Sequence, residues 1–246
     1  MTQLAIIGGT GLTSIKGLEI IKREVVHSPY GDPSGPLIYG RLADHELMFL
    51  PRHGSAHTIP PHRINYRANL WSLKEHEVTH ILAVNAVGGI RSDMEPGTLV
   101  IPDQIIDYSW GRTNTFFEDG LESVVHIDFT QPYCEAMRQV LLKAGKSADI
   151  PLIDGGTYAA TQGPRLETAA EIDRLERDGC DLVGMTGMPE AALARELDIC
   201  YASVSVVANW AAGKADGEIT MESIDECLGQ GMGRVRDLLE TVARQL

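Results

Sequence analysis

Two stretches concentrate the residue types that handle small anions. Leu50-Pro51-Arg52-His53-Gly54-Ser55-Ala56-His57-Thr58-Ile59-Pro60-Pro61-His62-Arg63 gathers arginines and histidines in a chain whose formal net charge is -13. Arginine can grip phosphate through two parallel N–H donors, and histidine can donate to an anion or lie beside a sugar. The segment follows an apolar run, and loops at strand C-termini are where α/β sheets bind ligands. A solvated loop with a surface arginine accounts for the same residues. The second stretch, Ile6-Ile7-Gly8-Gly9-Thr10-Gly11, places a glycine-rich turn directly after an apolar strand. Glycines let backbone N–H groups converge on an anion, and Thr10 adds a hydroxyl. A plain tight turn is the alternative. Counting from Gly9, Ser14 stands where a dinucleotide fingerprint needs Gly or Ala, and no Gly-Lys-Ser/Thr of a P-loop follows.

His76-Glu77-Val78-Thr79-His80 matches the H-E-x-x-H zinc signature. That motif works only on a helix, which puts both histidines on one face. Here β-branched Val78 and Thr79 lead into Ile81-Leu82-Ala83-Val84, which predicts a strand and no metal site. Serines and cysteines show no nearby His-acid pairing for nucleophilic catalysis. Cys134, Cys180, Cys200 and Cys227 are far apart and form no C-x-x-C pair. That spacing predicts free thiols in a reducing cytoplasm.

These residues need a scaffold, and the hydrophobic pattern supplies one. Apolar runs at Leu4–Ile7, Leu47–Leu50, Ile81–Val84, Leu99–Ile101, Leu182–Met185 and Cys200–Val207 predict buried strands. Tyr66–Glu75, Pro132–Ala144, Thr168–Arg177 and Pro189–Leu197 predict helices. Ile224, Leu228, Met232, Val235, Leu239 and Val242 recur at helical spacing in a last amphipathic helix, with Thr220 or Ser223 as its N-cap. Strands alternating with helices predict an α/β fold. With no repeat or linker, residues 1–246 read as a single domain. A hydrophobic fraction of 43% and a charged fraction of 22% are those of a globular protein. The acidic balance argues against a nucleic-acid groove. No apolar stretch approaches the ~18 residues of a membrane span, and no basic segment precedes the first apolar run, so a soluble protein is expected.

In order along nearly the whole chain, further runs resemble the methylthioadenosine phosphorylase and purine nucleoside phosphorylase family. They are I-I-G-G-T-G-L from Ile6, R-H-G-S-A-H-T-I-P-P from Arg52, N-Y-R-A-N-L-W-S-L-K-E from Asn65 and N-A-V-G-G from Asn85. E-P-G-T-L-V-I-P-D-Q from Glu95, H-I-D-F-T-Q-P-Y-C from His126, T-Q-G-P-R-L-E-T from Thr161, M-T-G-M-P-E from Met185 and C-Y-A-S-V-S-V-V-A-N from Cys200 complete the match. The resemblance implies a central mixed sheet flanked by helices, with phosphate as co-substrate and no organic cofactor or metal. It implies phosphate held by Thr10, Arg52, His53, the Ala86 backbone and Thr186. Asn85 stands where the methylthioadenosine branch has a hydroxyl residue. Met185 would pack under the ribose. His57 and, from a neighbouring subunit, His126 would border the 5′ substituent, in a homotrimer.

At the base the chain departs from the aminopurine members, which have Ser after the Gly-Pro-Arg-Phe/Leu motif and an Asp-x-Asp run on the late strand. Here Leu166-Glu167 and Asn209-Trp210-Ala211 stand at those places and resemble the 6-oxopurine members. An ionised Glu167 only accepts hydrogen bonds, which suits the N1–H of hypoxanthine and opposes the N1 lone pair of adenine. Asn209 can donate to O6 and accept from a protonated N7. Glu167 capping a helix, or Asn209 ending a strand at a turn, would explain each residue without a ligand. Ile224 and Leu228, near Met221 and Glu222, are candidates for an apolar 5′ wall or for plain core. The combined expectation is phosphorolysis of a 6-oxopurine methylthionucleoside, S-methyl-5′-thioinosine. A methylthioadenosine or general 6-oxopurine phosphorylase, a nucleosidase using water and a non-catalytic nucleotide-binding module are the rivals.

Overall fold

Apolar runs too short for buried helices become the strands of one mixed sheet. The computed structural model of the chain describes residues 3–9 and 17–245; Thr10 lies outside them. In chain order the elements begin with β1 (Leu4–Gly8), β2 (Glu19–Glu24), β3 (Leu37–Leu42), β4 (His45–Pro51), α1 (Tyr66–Glu75), β5 (His80–Gly89), β6 (Leu99–Ile101) and β7 (Gln104–Asp107). They continue with α2 (Glu135–Ser147), β8 (Ile153–Asp154), β9 (Thr157–Ala160), α3 (Ala169–Arg177), β10 (Leu182–Gly184), α4 (Gly187–Glu196), β11 (Cys200–Trp210) and α5 (Met221–Ala243). The main path of the sheet runs β2-β3-β4-β1-β5-β10-β9-β7, with β11 paired to β5 and β6, and β8 to β6.

β5 is the hinge of this arrangement. It pairs with β11 along its whole length. On its other edge it pairs with β1 through His80–Ala83 and with β10 only at Gly88 and Gly89. Between those pairings the sheet parts, and the middle of β5 faces a gap rather than a strand. Alternation along β5 sends Ile81, Ala83 and Val87 to a core shared with α1 and α4. Leu82 and Val84 go to a second core under α2 and α5.

The H-E-x-x-H segment does not form one helix. His76 is the C-cap of α1, Glu77 takes a left-handed φ of 59°, and His80 opens β5. The expectation of four free thiols is overturned, because Cys134 and Cys200 form a disulfide; Cys180 and Cys227 are free. The two partners are 66 residues apart, so local spacing carried no trace of the pair. They meet because the backbone N–H of Cys134, just before α2, donates to the Tyr201 carbonyl at the start of β11 (2.8 Å). Among the described residues no helix is long and apolar enough to cross a membrane.

Candidate active site

The gap in the sheet opens onto a cavity of about 340 Å³, within the range of small-molecule sites. Its lining comes from the ends of separate elements: Arg52 and His53 after β4, Asn85 and Ala86 of β5, Met185 and Thr186 after β10, and Asn209 of β11. Glu167, Leu166 and His57 complete the wall from loops. Residues scattered through the sequence therefore converge on one place.

Arg52 is 0% exposed, and its donors are mostly committed. Nε and Nη2 donate to the two carboxylate oxygens of Glu190, each at 2.7 Å. Nη1 donates to the Val84 carbonyl (3.0 Å), which the parted sheet leaves without a strand partner on that side, and Nη2 reaches Asn85 Oδ1 (3.3 Å). Tyr201 donates its hydroxyl to Glu190 (2.9 Å). Burial works against the Arg52 charge, but the Glu190 carboxylate outweighs it and holds the guanidinium firmly protonated. The expected two-pronged grip on phosphate is thus engaged by Glu190, and Nη1 is what faces Gly9. A Cβ on Gly9 would lie 2.7 Å from that Nη1 and from the Val84 oxygen, so only glycine fits there.

His53 donates from Nδ1 to the Ile59 carbonyl (2.8 Å). Burial first, then the neighbouring Arg52 charge, push its pKa down to about 4. The ring is therefore neutral near pH 7 with Nε2 unprotonated, a hydrogen-bond acceptor rather than a donor. The His57 ring lies 4.6 Å from that of His53. Burial lowers its pKa as well, with Asp225 opposing.

Thr186 is buried, accepts from Asn85 Nδ2 (3.4 Å) and offers its backbone N–H to the Tyr158 hydroxyl (3.4 Å). A Cβ on Gly184 would fall 2.1 Å from that hydroxyl, so the close approach of β10 to Tyr158 also requires glycine. The Met185 thioether packs where a side chain on Gly163 would sit, 2.4 Å from its Sδ.

Of the two positions expected to face the base, Glu167 loses its simpler explanation, whereas Asn209 does stand near the end of β11, just before a turn. α3 is capped by Thr168, with Glu171 completing a capping box, so Glu167 caps nothing. Its Oε1 accepts from Thr161 Oγ1 (2.7 Å), and the residue lines the cavity. Asn209 sits beside a bulge between Val207 and Asn209 in the pairing of β11 with β5. A bulge re-aims side chains, and Ala208 and Asn209 both line the cavity. One Nδ2 proton of Asn209 is engaged by the Trp210 carbonyl (2.7 Å). Trp210 and Ala211 do not line this cavity but an adjoining cleft shared with Leu166, Glu167, Ala208 and Asn209. Met221 and Ile224 join the lining, whereas Leu228 is core. His126 is exposed and outside the cavity of its own chain.

Glu190 and Tyr201 were not singled out by sequence reasoning. A Glu directly after Pro189 reads as an ordinary first-turn acid of a helix, and nothing nearby marks it as the mate of an arginine 138 residues away.

The model of the phosphorylase superfamily matches residues 3–244. A probable S-methyl-5′-thioinosine phosphorylase of Pseudomonas syringae pv. tomato is 55% identical, covering 98% of this chain and 98% of the relative. A 6-oxopurine nucleoside phosphorylase of Pyrococcus furiosus is 46% identical over 93% of this chain and 87% of its own. The methylthioadenosine phosphorylase of Schistosoma mansoni in complex with adenine superposes with a TM-score of 0.95 at 33% identity, covering 100% of this chain and 92% of that one.

Proposed function

Because the chain belongs to the phosphorylase superfamily, we propose that it cleaves S-methyl-5′-thioinosine with phosphate, giving hypoxanthine and 5-methylthioribose 1-phosphate. The observation that carries the base assignment is Glu167, an acceptor freed from any capping role, sharing one cavity with Asn209. Phosphate bonds to C1′ as the glycosidic C–N bond breaks. The electron pair of that bond goes to the purine, through a transition state with oxocarbenium character. Positioning a weak nucleophile supplies much of the rate. Nη1 of Arg52, His53 Nε2, the Ala86 backbone and Thr186 are the groups we assign to it, with Thr10 assigned by resemblance alone. Glu167 accepts from N1–H, while Asn209 meets O6 and the N7 edge, where negative charge develops. Leu166, Trp210 and Ala211 border the base, Met185 the ribose. His57, Met221 and Ile224 form the 5′ wall, where an apolar methylthio group fits better than a hydroxyl.

The scheme needs phosphate as co-substrate and no metal or organic cofactor. We further infer a homotrimer in which His126 reaches a neighbour's 5′ pocket, and a cytoplasmic role in purine salvage. The test is kcat/KM for methylthioinosine, methylthioadenosine, inosine and adenosine side by side, with and without phosphate. Strict phosphate dependence and a preference for methylthioinosine are expected. Faster cleavage of methylthioadenosine would overturn the base assignment, and turnover without phosphate would make the protein a hydrolase.

A further inference from the structure

Arg112 lies in the long connection between β7 and α2, outside every motif considered so far. Its guanidinium collects carbonyls from both loops that build the nucleoside site. Nη1 donates to Met185 O (2.7 Å) and Met188 O (2.6 Å), and Nη2 to Thr161 O (3.1 Å) and Gln162 O (2.8 Å). Nη1 also approaches the Tyr66 hydroxyl at 3.4 Å. No carboxylate lies within ion-pairing distance of it among the described residues. The same connection takes a second hold on one loop, since the Trp110 N–H donates to Gln162 Oε1 (3.1 Å).

Those carbonyls belong to residues one step from the chemistry. Thr161 holds the Glu167 carboxylate through its hydroxyl (2.7 Å) and donates its N–H to Gly184 O (2.8 Å). Met185 precedes Thr186 and lines the cavity. We propose that Arg112 is a positioning residue that sets the separation of the base-facing loop from the loop facing sugar and phosphate. Four convergent carbonyl dipoles repel one another unless a cation with several fixed donors sits between them. A guanidinium presents five N–H groups in a rigid plane, whereas an ammonium presents three from one point and cannot span both pairs.

The inference rests on the phosphorylase reading, and the unaltered protein assayed in parallel separates the two. If the unaltered protein fails to cleave methylthioinosine, that reading fails first. If it succeeds, R112A and R112K are compared with it after thermal melts show them folded. For R112A, kcat/KM on methylthioinosine is expected to fall by on the order of 10²-fold, the cost of displacing a reacting group by about 1 Å. Its preference over methylthioadenosine should narrow, because Glu167 is no longer fixed. Millimolar guanidinium ion should restore part of the activity of R112A, and R112K should recover little. Retention of the parent kcat/KM by folded R112A would overturn the proposal. So would a loss that leaves base preference unchanged and does not respond to guanidinium. Should R112A not fold, R112K carries the same comparison of kcat/KM and base preference, and parent-like values there overturn it equally.

Discussion

Arg52 carries its charge where water does not reach, and Glu190 and Tyr201 account for how it can. The Arg52–Glu190 pair is neutral as a unit, and His53 beside it is uncharged near pH 7. Anion binding as proposed for this cavity would therefore depend on directed N–H and O–H groups more than on net positive charge, which fits a protein of formal charge -13. Pairing makes the site tolerable without making it cheap to disturb. Removing one partner of a buried pair leaves the other charge unsolvated, typically costing about 3–5 kcal/mol. E190Q is accordingly expected to lower the urea unfolding free energy by that order, and to impair turnover because the guanidinium loses its fixed orientation. Stability within experimental error of the parent would mean that the pair does not hold Arg52 as described.

At the scale of elements, α3 illustrates how one turn separates an acid that caps a helix from one that lines the cavity. Thr168 accepts from the Glu171 N–H (3.1 Å), Glu171 reaches back to the Thr168 N–H (2.8 Å), and Arg165 braces the same carboxylate. T168A should cost about 1 kcal/mol in chemical denaturation, the usual value of an N-cap, and an unchanged midpoint would show that the box contributes nothing. Because Glu171 fills the capping role, Glu167 remains available to the cavity. Much of this was legible in sequence: α1 and β6 fall on their predicted bounds, and of the two caps the sequence offered for α5, Thr220 is the one used. β2 was not, because Glu19–Glu24 is an exposed strand with no alternation to betray it. β3 escaped notice too, and with it the hairpin to β4, although Leu47–Leu50 of β4 was read as a strand. The hairpin's two-residue turn puts Ala43 and Asp44 at positive φ, without the Asn-Gly that usually advertises such a turn. Within the site, Arg52 and His53 stood out by type and Glu167 and Asn209 only by resemblance, while Glu190, Tyr201 and Arg112 matter only through contacts that the fold creates at long range.

Taken whole, the chain leaves several large apolar side chains exposed on one connection. Trp110 (72% exposed), Leu121, Val124 (74%) and Val125 all present apolar surface between β7 and α2, and exposed apolar surface of this kind suits an association face. His126 stands on the same connection, as does Arg112, whose carbonyl grip joins the two loops of the nucleoside site. Assembly through this segment would cover its apolar groups and brace the Arg112 clamp, as well as deliver His126 to a neighbour. Association and activity should therefore be linked. Sedimentation is expected to show a trimer, and dilution below its dissociation range should lower specific activity. The dilute enzyme should also discriminate less between methylthioinosine and methylthioadenosine, as is expected of R112A. V124D should shift the same dependence to higher protein concentration without altering the fold. A monomer with undiminished activity and base preference would dissolve this link, leaving the connection a structural segment and the site complete within one chain.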